Sequence, residues 1–567
     1  MGAYLKDDIS IVLGGEAGLG IQTIEQVLTK VLKLDGYNVF AAKEYMSRIR
    51  GGSNSIEIRV SSKKVSAYVN RIDILIPLDK TAIARLKKRI SPKTIVLGDK
   101  EVLATELDVL DIPFSRIAKE VGNVIYANTV AAGAISGFFQ IEPGTLEGFL
   151  KDYFSGKDEE TVRNNIEASR KGYEIGLDLS RKGKVTVDVK KDVNVKKELF
   201  FNGAEAVGMG VIAGGCDFLS SYPMSPATSV MVFLAGRSKE FGIVVEQAED
   251  EISAINMCLG AWYAGGRAIA STSGGGFDLM TEGLSLAGII ESPIVIHIGQ
   301  RPGPATGLPT RTEQGDLELA LYAGHGEYPR IILAPGTLEE AFYLTGKAFD
   351  LADKYQAPVI ILTDQFLMDM YYNFSSLDLP KAPHKKHIVK TGRDYKRYKL
   401  TKDGISPRGM PGYGDGLVSL DSDEHDEEGH ITEDFELRVK MVDKRLKKLE
   451  SIKKDIVPPA LGGDKRFKTL AVCWGTTYNV VKEAVEKLGR DDVAFLHFSQ
   501  VYPLHPETLG HLEKAEKTVI IENNATSQLG KLIKLYFGFE IKEKILKYNG
   551  LPFSVEEIVK GLKEIAG

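Results

Sequence analysis

Short apolar runs alternate with amphipathic stretches along most of the chain, a pattern typical of parallel α/β layers. The apolar runs have the length of strands, and the stretches between them repeat with a helical period. In the first block we expect a helix from the glycine-rich turn at residues 14–20 to about residue 32, and helical pattern continues to about residue 180. The predicted strands of this block are residues 9–13, 38–42, 55–60, 72–77, 94–98 and 123–127.

Two further blocks repeat the alternation. The second block predicts strands at residues 217–222, 243–247, 268–272, 293–298, 330–333 and 358–362. The last block predicts strands at residues 469–474, 493–498 and 518–521. We therefore expect a multidomain α/β protein.

Shifts in composition divide the chain into five segments. Residues 181–198 are polar and rich in lysine, which favours a solvated linker over the alternative of a nucleic-acid contact. Between residues 376 and 462 the periodicity fades, as in an extended connecting segment. The predicted segments are an α/β domain at 1–182, a linker at 183–198, an α/β domain at 199–375, the connecting segment at 376–462 and a small α/β domain at 463–567.

Composition restricts the class of protein. The 567 residues include 72 Lys and Arg against 77 Asp and Glu, so no general basic field is available for nucleic acid. Three separated cysteines without a Cys-x-x-Cys motif disfavour a zinc site, a disulfide framework or an iron–sulfur cluster held by this chain alone. The apolar runs are too short to span a membrane. We expect a soluble cytoplasmic protein.

The most informative chemistry surrounds Glu251, which begins a predicted helix that ends at Trp262. A glycine-rich turn at residues 272–277 and a Gly/Pro/Arg loop at residues 301–311 follow it. An acidic helix start, such a turn and such a loop form the half of a thiamine-diphosphate site that holds the pyrimidine ring. The other half, Gly-Asp-Gly closely followed by Asn-Asn, is missing, because Gly414-Asp415-Gly416 lies far from Asn523-Asn524. The sequence therefore predicts a partner chain.

Other acidic residues have simpler explanations. Glu246, Glu249, Asp250 and Glu251 crowd a strand end and a first helical turn, where they interact favourably with the helix dipole. One buried member of this group could instead bind a ligand nitrogen. The segment at residues 423–430 contains His425 and His430 among many acids; local hydrogen bonding is favoured there over a metal site, and we expect no metal in this chain.

Two glycine-rich loops in the first domain suggest an anion site. Gly14–Gly20 lies between a strand and a helix, where backbone N–H groups favour phosphate, but it fits the NAD fingerprint poorly. A dinucleotide, another phosphate-bearing ligand and a plain tight turn remain open on this loop alone. The second loop, residues 48–53, adds two arginines and flexible backbone, which favours an anion. The candidate anion-binding residues are Gly15, Gly18, Gly20, Arg50, Gly51 and Gly52.

Two loops of the second domain offer groups for a substrate. Tyr222-Pro223-Met224-Ser225-Pro226 follows a strand at its carboxyl end, where open α/β sheets bind ligands, and Ser225 can donate to an oxyanion. Arg311 ends a loop stiffened by proline, and its planar guanidinium suits a carboxylate. A rigid turn and an ordinary surface arginine are the alternatives.

Together these motifs resemble the α subunit of the 2-oxoacid:ferredoxin oxidoreductases, of the pyruvate:ferredoxin oxidoreductase family, in the variant with the γ domain fused at the N-terminus, as in 2-oxoglutarate oxidoreductases. The resemblance covers essentially the whole chain. Its motifs are residues 14–20, 50–53, 222–226, 251, 272–276, 306–312, 404–408, 423–425, 429–433, 474–475 and 503–504.

The resemblance implies a γ-type, CoA-associated domain at 1–182, a pyrimidine-binding domain at 199–375 and a transketolase-C-like domain at 463–567. It implies CoA-dependent, reversible oxidative decarboxylation of a 2-oxoacid, such as 2-oxoglutarate, to acyl-CoA, CO₂ and reduced ferredoxin. A β subunit would carry the diphosphate–Mg²⁺ motif and a 4Fe–4S cluster, in a dimer of αβ heterodimers. The chain would bind neither nucleic acid nor membrane.

The resemblance also implies residue roles. Glu251 would be catalytic and bind N1′ of the aminopyrimidine, beside Ser273 and Gly274. Tyr222, Pro223, Ser225 and Arg311 would bind the 2-oxoacid, while the loops with Gly15, Gly18, Gly20, Arg50, Gly51 and Gly52 would hold the phosphates of CoA.

The chain departs from the family pattern next to the substrate. Met224 and Ser225 replace the usual Ile and Thr, and Gly275 and Asp278 replace a common Pro and Ser. The preferred 2-oxoacid therefore stays open. The alternatives are a non-catalytic partner that binds CoA or a nucleotide as a regulator, another thiamine enzyme such as an indolepyruvate-type oxidoreductase, and, least favoured, an NAD dehydrogenase.

Overall fold

A computed structural model describes residues 3–16, 21–46, 52–379 and 384–567. The chain divides into two compact units. The first unit is made of residues 1–202 and 369–377, and the second of residues 203–368 and 378–567.

The elements up to residue 202 belong to the first unit. They are β1 (Ala3–Lys6), β2 (Asp8–Glu16), α1 (Ile21–Leu34), β3 (Asn38–Glu44), β4 (Ser53–Ser61), β5 (Ile74–Pro77), α2 (Lys80–Leu86), β6 (Ile95–Gly98), α3 (Lys100–Leu103), β7 (Val109–Asp111), α4 (Phe114–Val121), α5 (Ala127–Phe138), α6 (Pro143–Tyr153), α7 (Glu159–Arg181), β8 (Val185–Asp188) and β9 (Leu199–Asn202).

The later elements form the second unit, except that β16 belongs to the first. They are α8 (Gly203–Ala213), β10 (Phe218–Ser221), α9 (Thr228–Ala235), α10 (Ser238–Phe241), β11 (Val244–Gln247), α11 (Glu251–Tyr263), β12 (Ala268–Ser273), α12 (Gly274–Leu279), α13 (Thr281–Ile289), β13 (Ile294–Gln300), α14 (Leu317–Tyr322), β14 (Ile331–Leu333), α15 (Leu338–Tyr355), β15 (Pro358–Asp364), α16 (Gln365–Asp369), β16 (Tyr371–Phe374), β17 (Val389–Thr391), β18 (Gly409–Gly414), α17 (Phe435–Ile452), β19 (Ala460–Gly463), β20 (Thr469–Trp474), α18 (Thr477–Leu488), β21 (Val493–Phe498), β22 (Gln500–Tyr502), α19 (Glu507–Lys514), β23 (Lys517–Glu522), α20 (Gln528–Phe537), β24 (Glu543–Leu546) and α21 (Val555–Ala566).

An eight-stranded sheet in the order β7-β6-β5-β2-β4-β3-β16-β9 forms the centre of the first unit. The strands β2, β5, β6 and β7 are parallel, so their carboxyl ends share one edge. β4 runs antiparallel to β2, and the pairing extends to Glu16 opposite Ser53. The carboxyl end of β2 and the amino end of β4 therefore lie at the same edge of the sheet.

The second unit contains a seven-stranded sheet, β11-β10-β12-β13-β15-β14-β22, and a five-stranded sheet, β19-β21-β20-β23-β24. The first six strands of the larger sheet are parallel, and β22 joins antiparallel to β14. The central strands β12, β13 and β15 are buried along their whole length, as expected for a parallel sheet covered on both faces. β22 comes from the last block of the chain, so that block contributes to both sheets.

Two stretches of the first unit differ from the predicted elements. Residues 124–126 form a turn of 3₁₀ helix rather than a strand, because the side chain of Asn123 accepts a hydrogen bond from the amide of Ile125 and α5 follows directly. The predicted linker contains β8, which pairs in parallel with β1, and Val185, Val189 and Val195 are buried. The alternation of valine with charged residues is a strand pattern that the high lysine content obscured.

The predicted connecting segment contains a long helix, α17. Its inward face carries Lys444, Arg445 and Lys448, all buried, between the buried apolar residues Met441 and Ile452. Both lysines pair with the buried carboxylate of Glu291, which lies just after α13. The sequence pattern missed this helix because three of its five buried side chains are charged.

None of the helices in the described ranges has both the length and the apolar character needed to cross a bilayer.

Candidate active site and coenzyme-binding loops

The candidate active site lies at the carboxyl ends of three adjacent parallel strands in the second unit. The Tyr222–Pro226 loop follows β10, the segment from Gly274 follows β12, and Arg301 follows β13. These strands are hydrogen-bonded in the order β10-β12-β13, so the three connections leave the same edge of the sheet. Ligands of open α/β sheets bind at such an edge.

Glu251 is the buried member of the acidic group at the start of α11. Glu246 and Glu249 are exposed, and Asp250 caps the helix by accepting a hydrogen bond from the amide of Ser253 at 2.7 Å. The Glu251 side chain is at the first helical position and only 2% of the residue is exposed. A carboxylate withdrawn from water in this way needs specific partners.

Thr272 and Gly276 shape the surroundings of the Glu251 carboxylate. The hydroxyl of Thr272, at the end of β12, donates to Oε1 of Glu251 at 3.2 Å. A Cβ at Gly276 would lie 2.2 Å from the same oxygen, so only glycine fits there. The second oxygen, Oε2, accepts no hydrogen bond from the described residues. One oxygen is thus fixed and the other is free for a ligand.

Arg301, which the sequence analysis did not select, lies beside the Tyr222–Pro226 loop. Its Nη1 donates to the carbonyl oxygen of Ser225 at 2.9 Å. Burial lowers the pKa of the guanidinium, but the group stays charged because arginine begins from a very high value. Its position directly after an apolar strand was the signal available in the sequence.

The structure places Arg311 in a different environment. Its side chain packs against Gly550 in the last block, where a Cβ on that glycine would lie 3.1 Å from Cβ of Arg311. The next residue, Thr312, donates its amide to the carbonyl of Gly550 at 3.2 Å. The observed contact therefore joins Ser225 to Arg301. Substrate roles for Tyr222, Pro223 and Arg311 stay predictions.

Ser273, Gly274 and Asp316 form a second polar group at the start of α12. Both carboxylate oxygens of Asp316 lie 2.5 Å from the position of a Cβ at Gly274, so the carboxyl group lies directly against that glycine. The hydroxyl of Ser273 and Oδ2 of Asp316 are buried and have no hydrogen-bond partner among the described residues. Burial, with Asp278 and Glu313 nearby, raises the pKa of Asp316 to about 7.

A chain of buried hydroxyl groups and one imidazole crosses the sheet near the site. Ser221 donates to the carbonyl of Ser271 at 2.5 Å, and the Ser271 hydroxyl contacts Nδ1 of His297 at 2.8 Å. Nε2 of His297 contacts the hydroxyl of Thr363 at 2.8 Å. Burial lowers the pKa of His297 to about 4, so the imidazole is neutral and links β12, β13 and β15.

The last block holds the loop that contains Asp316. All four polar groups of Gln314 form hydrogen bonds with that block. In the side chain, Nε2 donates to the carbonyl of Trp474 and Oε1 accepts from the backbone amide of Asn523. In the backbone, the amide donates to the carbonyl of Asn523 and the carbonyl accepts from Nδ2 of Asn524. The Asn-Asn pair is therefore engaged inside this chain, and Asp415 is likewise bound through its amide to the carbonyl of Thr391.

The predicted anion-binding loops of the first unit are described only in part. Gly15 lies in β2, paired with Asn54, and Gly52 has a positive φ of 86° and lies close to Met46. Gly18, Gly20, Arg50 and Gly51 lie outside the described residues. The same edge of the sheet borders a cavity of about 730 Å³, lined by residues that include Thr23, Leu78, Asp99, Phe114, Tyr126 and Asn128.

The segment with His425 and His430 is held by local hydrogen bonds. His425 is buried, stacks on Tyr398 with 3.8 Å between ring centroids, and contacts the carbonyl of Asp423 through Nδ1. Oδ1 of Asp426 accepts hydrogen bonds from three amides, including that of His430. These contacts form a turn in the connecting segment.

Comparison with known proteins agrees with the fold and the geometry. The family described as "Pyruvate flavodoxin/ferredoxin oxidoreductase, thiamine diP-bdg" matches residues 209–444, and the family described as "Pyruvate ferredoxin/flavodoxin oxidoreductase" matches residues 10–175. A 2-oxoacid:ferredoxin oxidoreductase subunit alpha from Sulfolobus is 33% identical over 618 aligned positions, covering 98% of this chain and 97% of that protein. A 2-oxoglutarate synthase subunit KorA from Archaeoglobus fulgidus is 31% identical and covers 63% of this chain and 97% of its own length.

A solved structure is similar over the whole chain. The 2-oxoglutarate:ferredoxin oxidoreductase from Magnetococcus marinus, described with 2-oxoglutarate, coenzyme A and succinyl-CoA bound, superposes with a TM-score of 0.92 at 32% identity. The match covers 99% of both chains.

The fold and the site thus define a multidomain α/β protein of the pyruvate:ferredoxin oxidoreductase family, which confirms the predicted fold class. Within that family, the chain belongs to the α subunits of the 2-oxoacid:ferredoxin oxidoreductases.

Proposed function

We propose that this chain supplies the pyrimidine-binding half of a thiamine-diphosphate site in an enzyme that oxidatively decarboxylates a 2-oxoacid with CoA and ferredoxin. The observation that supports the proposal most directly is the buried carboxylate of Glu251, with Oε1 held by Thr272 and Oε2 left without a partner among the described residues. Gly276 leaves space beside this carboxylate that any side chain would fill. The residues fit an aminopyrimidine ring.

Glu251 would hold N1′ of that ring through a charge-assisted hydrogen bond. The bond is strong because burial removes competing water and lowers the local dielectric. Ser273 and Gly274, which follow Thr272 in the chain, would border the same ring. When bound, thiamine diphosphate supplies the nucleophilic carbon and the electron sink that decarboxylation requires. Glu251 contributes by controlling the proton at N1′.

The test is the rate of C2–H exchange of thiamine diphosphate in the assembled complex. Glu251→Gln is expected to slow this exchange by about two to four decades, the range typical of a positioned acid–base group. Glu249→Gln is the matched control, because Glu249 is exposed two residues away. Exchange at the wild-type rate in Glu251→Gln, with coenzyme bound, would contradict the assignment.

The 2-oxoacid would bind between the Tyr222–Pro226 loop and Arg301. Arg301 is a partly buried guanidinium fixed by the Ser225 carbonyl, and the remaining N–H groups of its fork suit a carboxylate. Ser225 is exposed and offers a hydroxyl to the same space. Tyr222 and Pro223 would border the substrate, and Arg311 would act from the far end of its loop. The 2-oxoacid would be 2-oxoglutarate or a related compound.

A second chain would supply the diphosphate half, with Mg²⁺ and a 4Fe–4S cluster. The two motifs that imitate the missing half, Asp415 and the Asn523-Asn524 pair, are engaged in contacts within this chain. The helix that begins with Glu251 also exposes the apolar side chains of Ile252, Met257 and Tyr263, which would be available to a protein partner.

Purification from the source tests this assembly. We expect a smaller, cysteine-rich companion chain with iron–sulfur absorbance, in a dimer of αβ heterodimers that reduces ferredoxin. The three cysteines of this chain are free and buried, which supports a reducing, cytoplasmic location. Tight binding of Mg²⁺ and thiamine diphosphate by the isolated chain would contradict the division of the site.

CoA would bind to the first unit. The two predicted anion loops start at the same edge of its sheet, because Glu16 pairs with Ser53, and the adjacent cavity is large enough for part of a nucleotide. Gly15, Gly18, Gly20, Arg50, Gly51 and Gly52 would surround the phosphates. A crystal soaked with CoA that shows the phosphates elsewhere would end this assignment.

A further inference from the structure

Glu522, the last residue of β23, is a fully buried carboxylate that the proposed reaction does not use. Its two oxygens accept five hydrogen bonds, all from neutral groups of the last block. Oε2 accepts from Nε1 of Trp474 at 3.1 Å, Nδ2 of Asn524 at 2.6 Å and the amide of Leu529 at 3.1 Å, and Oε1 accepts from the hydroxyl of Ser527 at 3.2 Å and the amide of Gly530 at 3.1 Å. A carboxylate withdrawn from water needs such partners, so Glu522 and its donors hold one another in place.

Two of these donors fix the start of α20. Leu529 and Gly530 are the second and third residues of that helix, and their amides have no partner within the first helical turn. Ser527, at the N-cap, makes no side-chain capping bond, so Glu522 satisfies the amides instead. A negative charge is also favoured at this end of a helix. Glu522 therefore determines where α20 begins and where its first residue, Gln528, lies.

The other donors connect Glu522 to the loop that contains Gln314. Nδ2 of Asn524, which donates to Glu522, also donates to the carbonyl of Gln314 at 3.1 Å. Trp474 donates its indole N–H to Glu522, and its carbonyl accepts from Nε2 of Gln314 at 2.7 Å. All four residues are buried. One residue thus separates Glu522 from Gln314 along each of two paths.

Gln528 connects the start of α20 to the same loop by a third path. Its Nε2 donates to the carbonyl of Gly315 at 2.8 Å, and its Oε1 accepts from the amide of Glu318 at 3.0 Å. Asp316 lies between these two attachments, and its carboxyl group lies directly against Gly274 of the glycine-rich turn after β12. The backbone of the loop is therefore attached to the last block on both sides of its contact with that turn.

We propose that Glu522 is a positioning residue for the 2-oxoacid: from the last block it holds the loop of residues 311–316 against the turn that contains Gly274, and so sets the affinity for the substrate. This inference rests on the proposed function, in which Arg311 of the same loop acts on the substrate. Glu522 acts through Asn524, Trp474 and the start of α20. It contacts neither the substrate nor the coenzyme.

Steady-state kinetics and C2–H exchange of thiamine diphosphate, both on the assembled complex, test the inference, with pyruvate and 2-oxoglutarate as substrates. Glu522→Gln keeps the size of the side chain but turns an N–H donor toward other donors. The KM for the 2-oxoacid is expected to rise roughly 10- to 100-fold, the effect of one or two lost buried hydrogen bonds. The exchange rate should stay at the wild-type value, because Glu251 is held by Thr272, which takes no part in these contacts.

Gln528→Met provides a second, milder variant. It keeps Glu522 and its five donors and removes only the two side-chain bonds to Gly315 and Glu318, so KM is expected to rise by less than in Glu522→Gln. The matched control is Glu513→Gln, an exposed acid on α19. Its KM and exchange rate should equal those of the wild type.

The possible results separate the two proposals. If neither 2-oxoacid is turned over by the wild-type complex, the proposed function fails and this inference fails with it. If turnover is normal but KM is unchanged in both variants, or exchange slows as much as KM rises, Glu522 has no specific role in substrate binding while the proposed function stands. If Glu522→Gln does not fold, KM and exchange in Gln528→Met decide between the same outcomes.

Discussion

The two arginines of the Gly/Pro-rich loop show how far the chemistry of a single residue predicts its role in the structure. Both Arg301 and Arg311 suit a carboxylate by chemistry, and in the sequence only the position of Arg301 directly after an apolar strand distinguishes the two. The fold separates them, because Arg301 follows β13 and contacts Ser225, whereas Arg311 packs against Gly550. Glu251 was predictable since it begins a helix, but the hydroxyl of Thr272 that fixes it comes from another strand.

Replacement of each arginine by lysine distinguishes their roles. Arg301→Lys is expected to raise the KM for the 2-oxoacid by roughly 10- to 100-fold, because a point charge loses the planar fork and the bond to Ser225. The dissociation constant for thiamine diphosphate should stay unchanged. Arg311→Lys changes the arginine that the sequence analysis selected, and its effect on KM is expected to be smaller. Steady-state kinetics and coenzyme titration on the assembled complex provide both values.

A larger increase in KM for Arg311→Lys than for Arg301→Lys would indicate that the substrate carboxylate binds at Arg311, as predicted from the sequence. Equal effects of Arg301→Lys on substrate and coenzyme would instead indicate that Arg301 supports the whole site.

At the scale of elements, the strands could be predicted from the sequence. The helix α17 and the hydrogen bonds of Gln314 could not. Continuous aliphatic runs such as residues 293–298 and 358–362 mark buried parallel strands, and the structure has β13 and β15 there. The helix α17 was missed because most of its buried side chains are charged. The hydrogen bonds between Gln314 and Asn523, here called the clamp, join residues far apart in sequence, so no local sequence pattern predicts the contact.

The clamp leads to a prediction about the loop that contains Gln314 and Asp316. Gln314→Leu leaves the buried amide of Asn523 without its partner, at a cost of about 1–3 kcal/mol, and removes one of the two donors to the carbonyl of Trp474. We expect a higher KM for the 2-oxoacid, because Asp316 and Arg311 lose their fixed positions. The rate of C2–H exchange should change little, since Glu251 is held by Thr272.

Kinetics and exchange measured on one preparation of Gln314→Leu give the required comparison. A variant in which exchange falls as much as substrate affinity would show that the clamp supports the coenzyme site as well as the loop.

At the scale of the whole molecule, buried charges join the connecting segment to the rest of the second unit. Glu291 pairs with Lys444 at 2.5 Å and with Lys448 at 2.6 Å, and all three side chains are buried. Although burial alone would raise it, the two lysines hold the pKa of Glu291 below its usual range, so the carboxylate is ionised. The connecting segment is therefore fixed to the sheet that carries the site.

Loss of this carboxylate is expected to destabilise the second unit. Glu291→Gln leaves two buried ammonium groups without their counter-charge, which typically costs about 3–5 kcal/mol. Thermal and denaturant unfolding at neutral pH measure the change, with Glu450→Gln on the exposed side of α17 as the control. A variant as stable as the control would show that water or other groups replace the lost charge.

Buried histidines predict how stability depends on pH. Burial lowers the pKa of His297 from 6.5 to about 4, so below pH 6.5 the unfolded chain binds more protons than the folded chain. Stability is complete above that pH and falls as the pH drops toward 4. Between pH 7 and pH 5 the wild type should lose about 2 kcal/mol more than His297→Gln. His497, also lowered to about 4 by burial, adds a similar dependence in both proteins.

Unfolding free energies of the two proteins at pH 7 and pH 5 provide the measurement. Identical losses would mean that His297 is hydrated or protonated in the folded state.

The two returning strands limit how this protein can be shortened. β16 lies late in the chain yet belongs to the first sheet, and β22 leaves the last block to extend the second sheet. A cut at residue 202 would leave the N-terminal fragment one strand short, and a cut at residue 463 would expose the edge of β14. An expression strategy based on separate modules would therefore produce fragments with open, adhesive sheet edges, prone to aggregate.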